Sequence, residues 1–126
     1  MNQYSFRIKP TKVTPFCRLD MSKKRLDFKG RSSPESSIKF YTPIMRRVDK
    51  TFRSGNNALT ANFWFEYFNT SSSKCIYDLL KQLASYKQKG AKIVINWYYE
   101  ESDIDMKEAG EDYEDILGIS FNYVPM

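Results

Sequence analysis

Between Leu59 and Tyr86 the chain changes its period. Leu59, Ala61, Phe63, Phe65 and Tyr67 recur at every second position, as the inward side of a half-buried strand does. From Ile76 the apolar residues return at three- and four-residue intervals through Leu79, Leu83 and Tyr86, with Cys75 and Leu80 widening the stripe, which is the pattern of an amphipathic helix. The join is Glu66-Tyr67-Phe68-Asn69-Thr70-Ser71-Ser72-Ser73-Lys74, and it holds four consecutive hydroxyls. A strand that runs straight into a helix limits the chain to folds in which the two alternate.

The rest of the chain repeats that alternation. Residues 16–21 and 25–29 read as two strands joined by Ser22-Lys23-Lys24, with Gly30 closing the second. Pro34 and Glu35 open a helix, because proline suits a first turn and an early carboxylate complements the helix dipole. Its inward residues are Ile38, Tyr41, Met45, Val48 and Phe52, and Pro43 inside that run predicts a kink or a start delayed toward Phe40. After the turn Ser54-Gly55-Asn56-Asn57 come a strand at 59–68, a helix at 72–89 stopped by Gly90, and a strand at 91–100. Ser102 or Asp103 caps a last helix with Met106, Ala109, Tyr113 and Ile116 inward; Gly118 ends it, and 119–124 supply a final strand. Ile93, Ile95, Trp97 and Tyr99 on one side of their strand, with Val94 and Tyr98 on the other, predict a sheet at least partly covered on both faces. The order β-β-α-β-α-β-α-β predicts one α/β domain over residues 1–126, a mixed sheet with right-handed parallel crossovers and helices packed on it. Residues 1–15 carry no pattern that assigns them and form a divergent N-terminal segment.

The hydroxyl cluster has two readings on spacing alone. Asn, Thr and Ser are preferred N-caps, because their side-chain oxygens accept from unpaired amides of the first turn. The same amides, with the positive end of the dipole, also favour an anion by about 0.3–1 kcal/mol. A phosphate on Thr70 would place nearly two negative charges there.

Enzyme chemistry finds no support in the composition. The chain has no histidine, which removes the commonest general base and metal ligand together. Cys17 and Cys75 stand alone and make no zinc site. No glycine-rich nucleotide fingerprint is present. The acidic runs Glu100-Glu101-Ser102-Asp103-Ile104-Asp105 and Glu108 to Asp115 lack the spacing of a calcium loop and read as a solvated helix face. Neither a cofactor nor a bound metal is expected. No stretch approaches the roughly 18 apolar residues of a membrane span, and residues 1–10 lack the apolar core of a signal peptide. A cytoplasmic protein with reduced thiols is the expectation.

Four motifs then stand in a telling order: Gly30-Arg31-Ser32-Ser33-Pro34-Glu35, Tyr67-Phe68-Asn69-Thr70-Ser71-Ser72, Val94-Ile95-Asn96-Trp97-Tyr98-Tyr99 and Asp105-Met106-Lys107-Glu108-Ala109-Gly110. Together, over roughly residues 26–124, they resemble the SiaC family of bacterial regulatory phosphoproteins. Ser36 stands where that family usually carries Asn. The resemblance implies a domain akin to anti-sigma-factor antagonists, with a STAS-like fold. It implies reversible phosphorylation at Thr70, by a dedicated histidine-kinase-like protein kinase and a metal-dependent phosphatase. It further implies that the unphosphorylated form binds a GGDEF-type diguanylate cyclase. Loops beyond the carboxyl ends of parallel strands converge in an α/β sheet. Gly30, Ser32 and Glu35 would thus join Asn69, Ser71 and Ser72 as partner-binding residues, provided that their strands are parallel neighbours. A plain turn before a proline-initiated helix is the alternative for residues 30–35.

Charge leaves a second function open. Residues 1–60 hold 14 Lys and Arg against 4 Asp and Glu, while residues 61–126 hold 6 against 11. A basic half with interleaved aromatics is one way to bind nucleic acid constitutively. No nucleic-acid motif accompanies it here, and a dipolar surface equally suits steering toward a protein partner.

Overall fold

The computed structural model describes residues 3–126. Its elements are β1 (Phe6–Ile8), β2 (Phe16–Asp20), β3 (Arg25–Ser32), α1 (Ser37–Arg53), β4 (Ala58–Phe68), α2 (Thr70–Gln88), β5 (Lys92–Tyr99), α3 (Ile104–Leu117) and β6 (Asn122–Pro125). They form one mixed six-stranded sheet in the order β1-β2-β3-β4-β5-β6. The first three strands pair antiparallel, and β3 to β6 run parallel. The α/β architecture is thus the expected one, with one strand more at its start: Phe6 and Ile8 pair with Leu19 and Cys17 and pack on the core. A three-residue strand is too short to announce itself by period.

The parallel strands stand in chain order, and each is reached by a helical crossover. Right-handed crossovers stepping in one direction set every helix on the same side of the sheet. The core accordingly forms on that side, from Cys17, Leu19, Leu26, Phe28, Leu59, Ala61, Phe63, Phe65, Ile93, Ile95 and Trp97 of the strands and the inner faces of the helices. This corrects the expectation of two covered faces. The opposite face is open: Val94 is 42% exposed, and Trp64 and Tyr98 lie only half-buried on it.

Several boundaries and facings differ from the periodic reading, each for a local reason. α1 starts at Ser37 rather than at Pro34, because the Ser36 side chain caps it by accepting from the Lys39 amide. Serine and asparagine cap about equally well. The helix then runs through Pro43 and turns Tyr41, Ile44, Val48 and Thr51 inward, leaving Ile38 69% exposed. α2 starts at Thr70, two residues before the expected Ser72. In α3 the inward residues are Met106, Gly110 and Tyr113, and Ile116 points out to solvent. Phe121 enters the core ahead of β6, its amide donating to Glu114 at 2.9 Å, which delays the strand to Asn122.

One irregularity bears on the site. Gly30 pairs with Phe65 but Arg31 pairs with Tyr67, so Glu66 is one residue extra on β4. Such a bulge resets the in-out alternation. Tyr67, expected inward, is 43% exposed, and Phe68 packs on the core in its place. Gly30 takes a φ of +120° at this point, a value that glycine adopts without strain.

Candidate functional site

β3 and β4 end together, and the backbone amide of Asn69 donates to the Ser32 carbonyl at 2.9 Å. The loops carrying residues 30–35 and 69–73 therefore lie side by side, as the parallel-neighbour condition requires. α1 and α2 begin at this edge, and α3 begins beyond the end of β5 on the same edge.

Asn69 caps α2, its side-chain oxygen accepting from the Ser72 amide at 2.8 Å. The four hydroxyls that follow have different surroundings. Ser72 is wholly buried; its Oγ lies 2.8 Å from Ser32 Oγ and 2.9 Å from Ser37 Oγ. Ser71 Oγ lies 2.8 Å from Ser37 Oγ and donates to the Asn69 side chain at 3.2 Å. Ser73 Oγ lies 2.8 Å from the Tyr113 hydroxyl, which donates in turn to the Ser73 carbonyl at 3.0 Å. Burial pushes the Tyr113 phenol up to about 12, against the opposing effect of the Ser73 bond. Thr70, the first helical residue, is exposed, and its hydroxyl bonds to no other described residue.

Sequence reasoning could not separate these hydroxyls, because the groups that tie them down come from elsewhere in the chain. In the sequence Tyr41 and Tyr113 show only as inward helix positions, and Ser37 shows no pattern at all. The one local hint was the paired serine Ser36-Ser37 just after Pro34. Among the six residues expected to meet a partner, Asn69, Ser71 and Glu35 reach the surface. Ser32 and Ser72 are 0% exposed and instead join the two loops. Gly30 supplies the backbone turn at the bulge. Beside it, the Arg31 guanidinium lies 4.5 Å over the Tyr67 ring, a cation–π contact on the outer face.

Fold and site define a small α/β domain in which all three helices begin at one edge of the sheet, where the loops of residues 30–35 and 69–73 lie side by side. The solved structure of apo-SiaC from Pseudomonas aeruginosa matches it with a TM-score of 0.86 at 26% identity, covering 97% of this chain and 98% of that one. SiaC bound to diguanylate cyclase SiaD, a complex in which it is the activator, matches with the same TM-score at 27% identity over 95% and 97%. An uncharacterized protein of P. aeruginosa strain UCBPP-PA14 is 27% identical over 111 residues, 88% of each chain. The sequence model of the SiaC family regulatory phosphoproteins matches residues 8–126. This chain belongs to that family: it is a regulatory protein and not an enzyme.

Proposed function

We propose that this chain is a threonine-phosphorylated switch whose unmodified form binds and activates a diguanylate cyclase. A protein kinase adds the phosphate at Thr70 and a metal-dependent phosphatase removes it, both acting in the cytoplasm with the cyclase. The observation that carries the reading is the isolation of one hydroxyl. Among Thr70, Ser71, Ser72 and Ser73, only Thr70 is both exposed and free of hydrogen bonds within the described residues. The likeness to SiaC in its complex with SiaD supports a cyclase as the partner.

The switch is local. A phosphate at the first position of α2 meets free amides and the positive end of the helix, so the fold tolerates it. A partner packed on the neutral edge would instead have to bury a dianion without a counter-charge, at a cost of several kcal/mol. Each 1.4 kcal/mol weakens binding about tenfold, so part of that cost releases the partner. Calorimetric titration of the cyclase with unmodified, phosphorylated and Thr70→Ala protein tests this, with circular dichroism to check folding. Tight binding of the unmodified and alanine forms and loss of binding by the phosphorylated form is expected. Equal affinity in all three overturns it.

A further inference from the structure

Every side-chain hydroxyl has a single proton, and that fact orients the buried bonds around the site. Ser71 spends its proton on the Asn69 side-chain oxygen, a carbonyl that can only accept. The contact between Ser37 and Ser71 must then be donated by Ser37, and the one between Ser72 and Ser37 by Ser72. Ser72 has no proton left for Ser32, so Ser32 donates to it at 2.8 Å, and Tyr41 donates to Ser32 at 2.6 Å. The result runs one way: Tyr41 to Ser32 to Ser72 to Ser37 to Ser71 to Asn69. Four members, Tyr41, Ser32, Ser37 and Ser72, are at most 2% exposed, and aligned hydroxyls of this kind strengthen one another. Among these four, water has no access to replace a missing link.

We infer that Ser37, fixed by this chain, is a positioning residue that decides which hydroxyl can be phosphorylated. The inference rests on Thr70 being the acceptor. Phosphoryl transfer from a nucleoside triphosphate makes a bond from the hydroxyl oxygen to the γ-phosphorus and breaks the bridging bond of that phosphorus. The nucleoside diphosphate leaves, and the hydroxyl proton passes to a base of the kinase. The oxygen must therefore offer a lone pair outward and give up its proton. Ser71 stands next to Thr70 and is exposed, yet Ser37 and Asn69 together hold it in one orientation, with one of its two lone pairs taken by Ser37 and its proton by Asn69. Thr70 has neither constraint. Both are exposed hydroxyls; the hydrogen bonds separate them.

Cutting the chain at Ser37 removes one of the two bonds that orient Ser71 and leaves it tied to Asn69 alone. The test uses purified full-length protein, a soluble extract of the source cells as the kinase supply, ATP labelled at the γ-phosphate, and mass-spectrometric site mapping. The wild-type arm tests Thr70 itself: label elsewhere, or none, overturns both readings. In the Thr70→Ala background only weak label on Ser71 is expected. In Thr70→Ala/Ser37→Ala label appears on Ser71, at least about fivefold above the single variant, the factor carried by one net hydrogen bond. Ser37→Thr in the same background keeps the donor and restores the block. Ser37→Cys, a near-isostere with a weak donor, behaves as Ser37→Ala and stands in for it should the alanine variant lose its helical signal. Wild type labelled at Thr70, with Ser71 labelled no more in folded Ser37→Ala and Ser37→Cys backgrounds than in Thr70→Ala alone, overturns the inference and leaves the Thr70 reading intact.

Discussion

Asn69 does two jobs with one oxygen, capping α2 through the Ser72 amide and closing the hydroxyl chain from Ser71. Asn69→Ala leaves an unpaired amide near a buried helix start and is expected to cost about 1 kcal/mol, read as a lower urea midpoint at unchanged slope. Thr70→Ala removes a hydroxyl that bonds nothing among the described residues, so its stability to urea should stay within about 0.5 kcal/mol of wild type. At this scale the sequence announced the cluster but not its sorting. Thr70 to Ser73 are four small hydroxyls in a row. What distinguishes them is Ser37, 34 residues from Ser71, and Tyr113, 40 residues from Ser73. Contacts across such separations leave no local pattern.

Periodicity placed every helix and the long strands, and it failed where a tertiary contact overrode it. α3 shows why. Ala109 packs on the core as expected, but the most buried residue beside it is Gly110, because the helix lies directly against the Trp97 ring of β5. A Cβ on Gly110 would sit 2.7 Å from Trp97 Cδ1 and Nε1. The ring has no room to yield, since its Nε1–H donates to the Met106 carbonyl at 2.9 Å and the ring stacks on Phe121 at 6.0 Å. Gly110→Ala, ordinarily stabilising in a helix, is therefore expected to destabilise by about 1–3 kcal/mol through overpacking. Chemical denaturation monitored by Trp97 fluorescence measures it. The exposed Ile38 and Ile116 are the converse case: apolar residues at helical spacing that fall just outside the buried arc. A sequence pattern fixes the apolar stripe of a helix to within about one residue of rotation and no better.

For the molecule as a whole, the α/β alternation is legible in the periodicity of the chain, and the sidedness of the sheet is not. Val94 and Tyr98 looked like a second buried face. They belong instead to an open surface, where a polar row crosses five strands in register. Arg18 donates to Asp27 at 2.8 Å, Asn62 donates to Asp27, Asn96 to Asn62 and Asn122 to Asn96. Only the strand order, which no local pattern reveals, decides that all three helices share one side. The helix side carries the ionisable groups that set the response to alkali. Burial raises the phenols of Tyr41, Tyr86, Tyr113 and Tyr123 above their ordinary value of 10.0, that of Tyr113 to about 12. The unfolded chain thus loses these protons first. The stability these phenols contribute is full below pH 10.0 and falls as pH rises through the raised values. Urea midpoints taken across that range should decline above pH 10.0 while tyrosinate absorbance rises; a flat midpoint would contradict the burial of these phenols.

The extra residue at Glu66 acts on β4 as a shift of reading frame. Upstream of it odd-numbered residues point to the core; downstream, even-numbered Phe68 does. The edge that presents Thr70 is thus written in a different frame from the strand that supports it. Deleting Glu66 alone would remove the unpaired residue and leave every pair in place, with Phe65 inward, Tyr67 outward and Phe68 inward in one continuous alternation. Asn69 would keep its place opposite the Ser32 carbonyl, and Ser72 its place among the buried hydroxyls. The edge is spliced onto the strand by a residue that pairs with nothing on β3, and taking that residue out would rejoin the two frames without disturbing either.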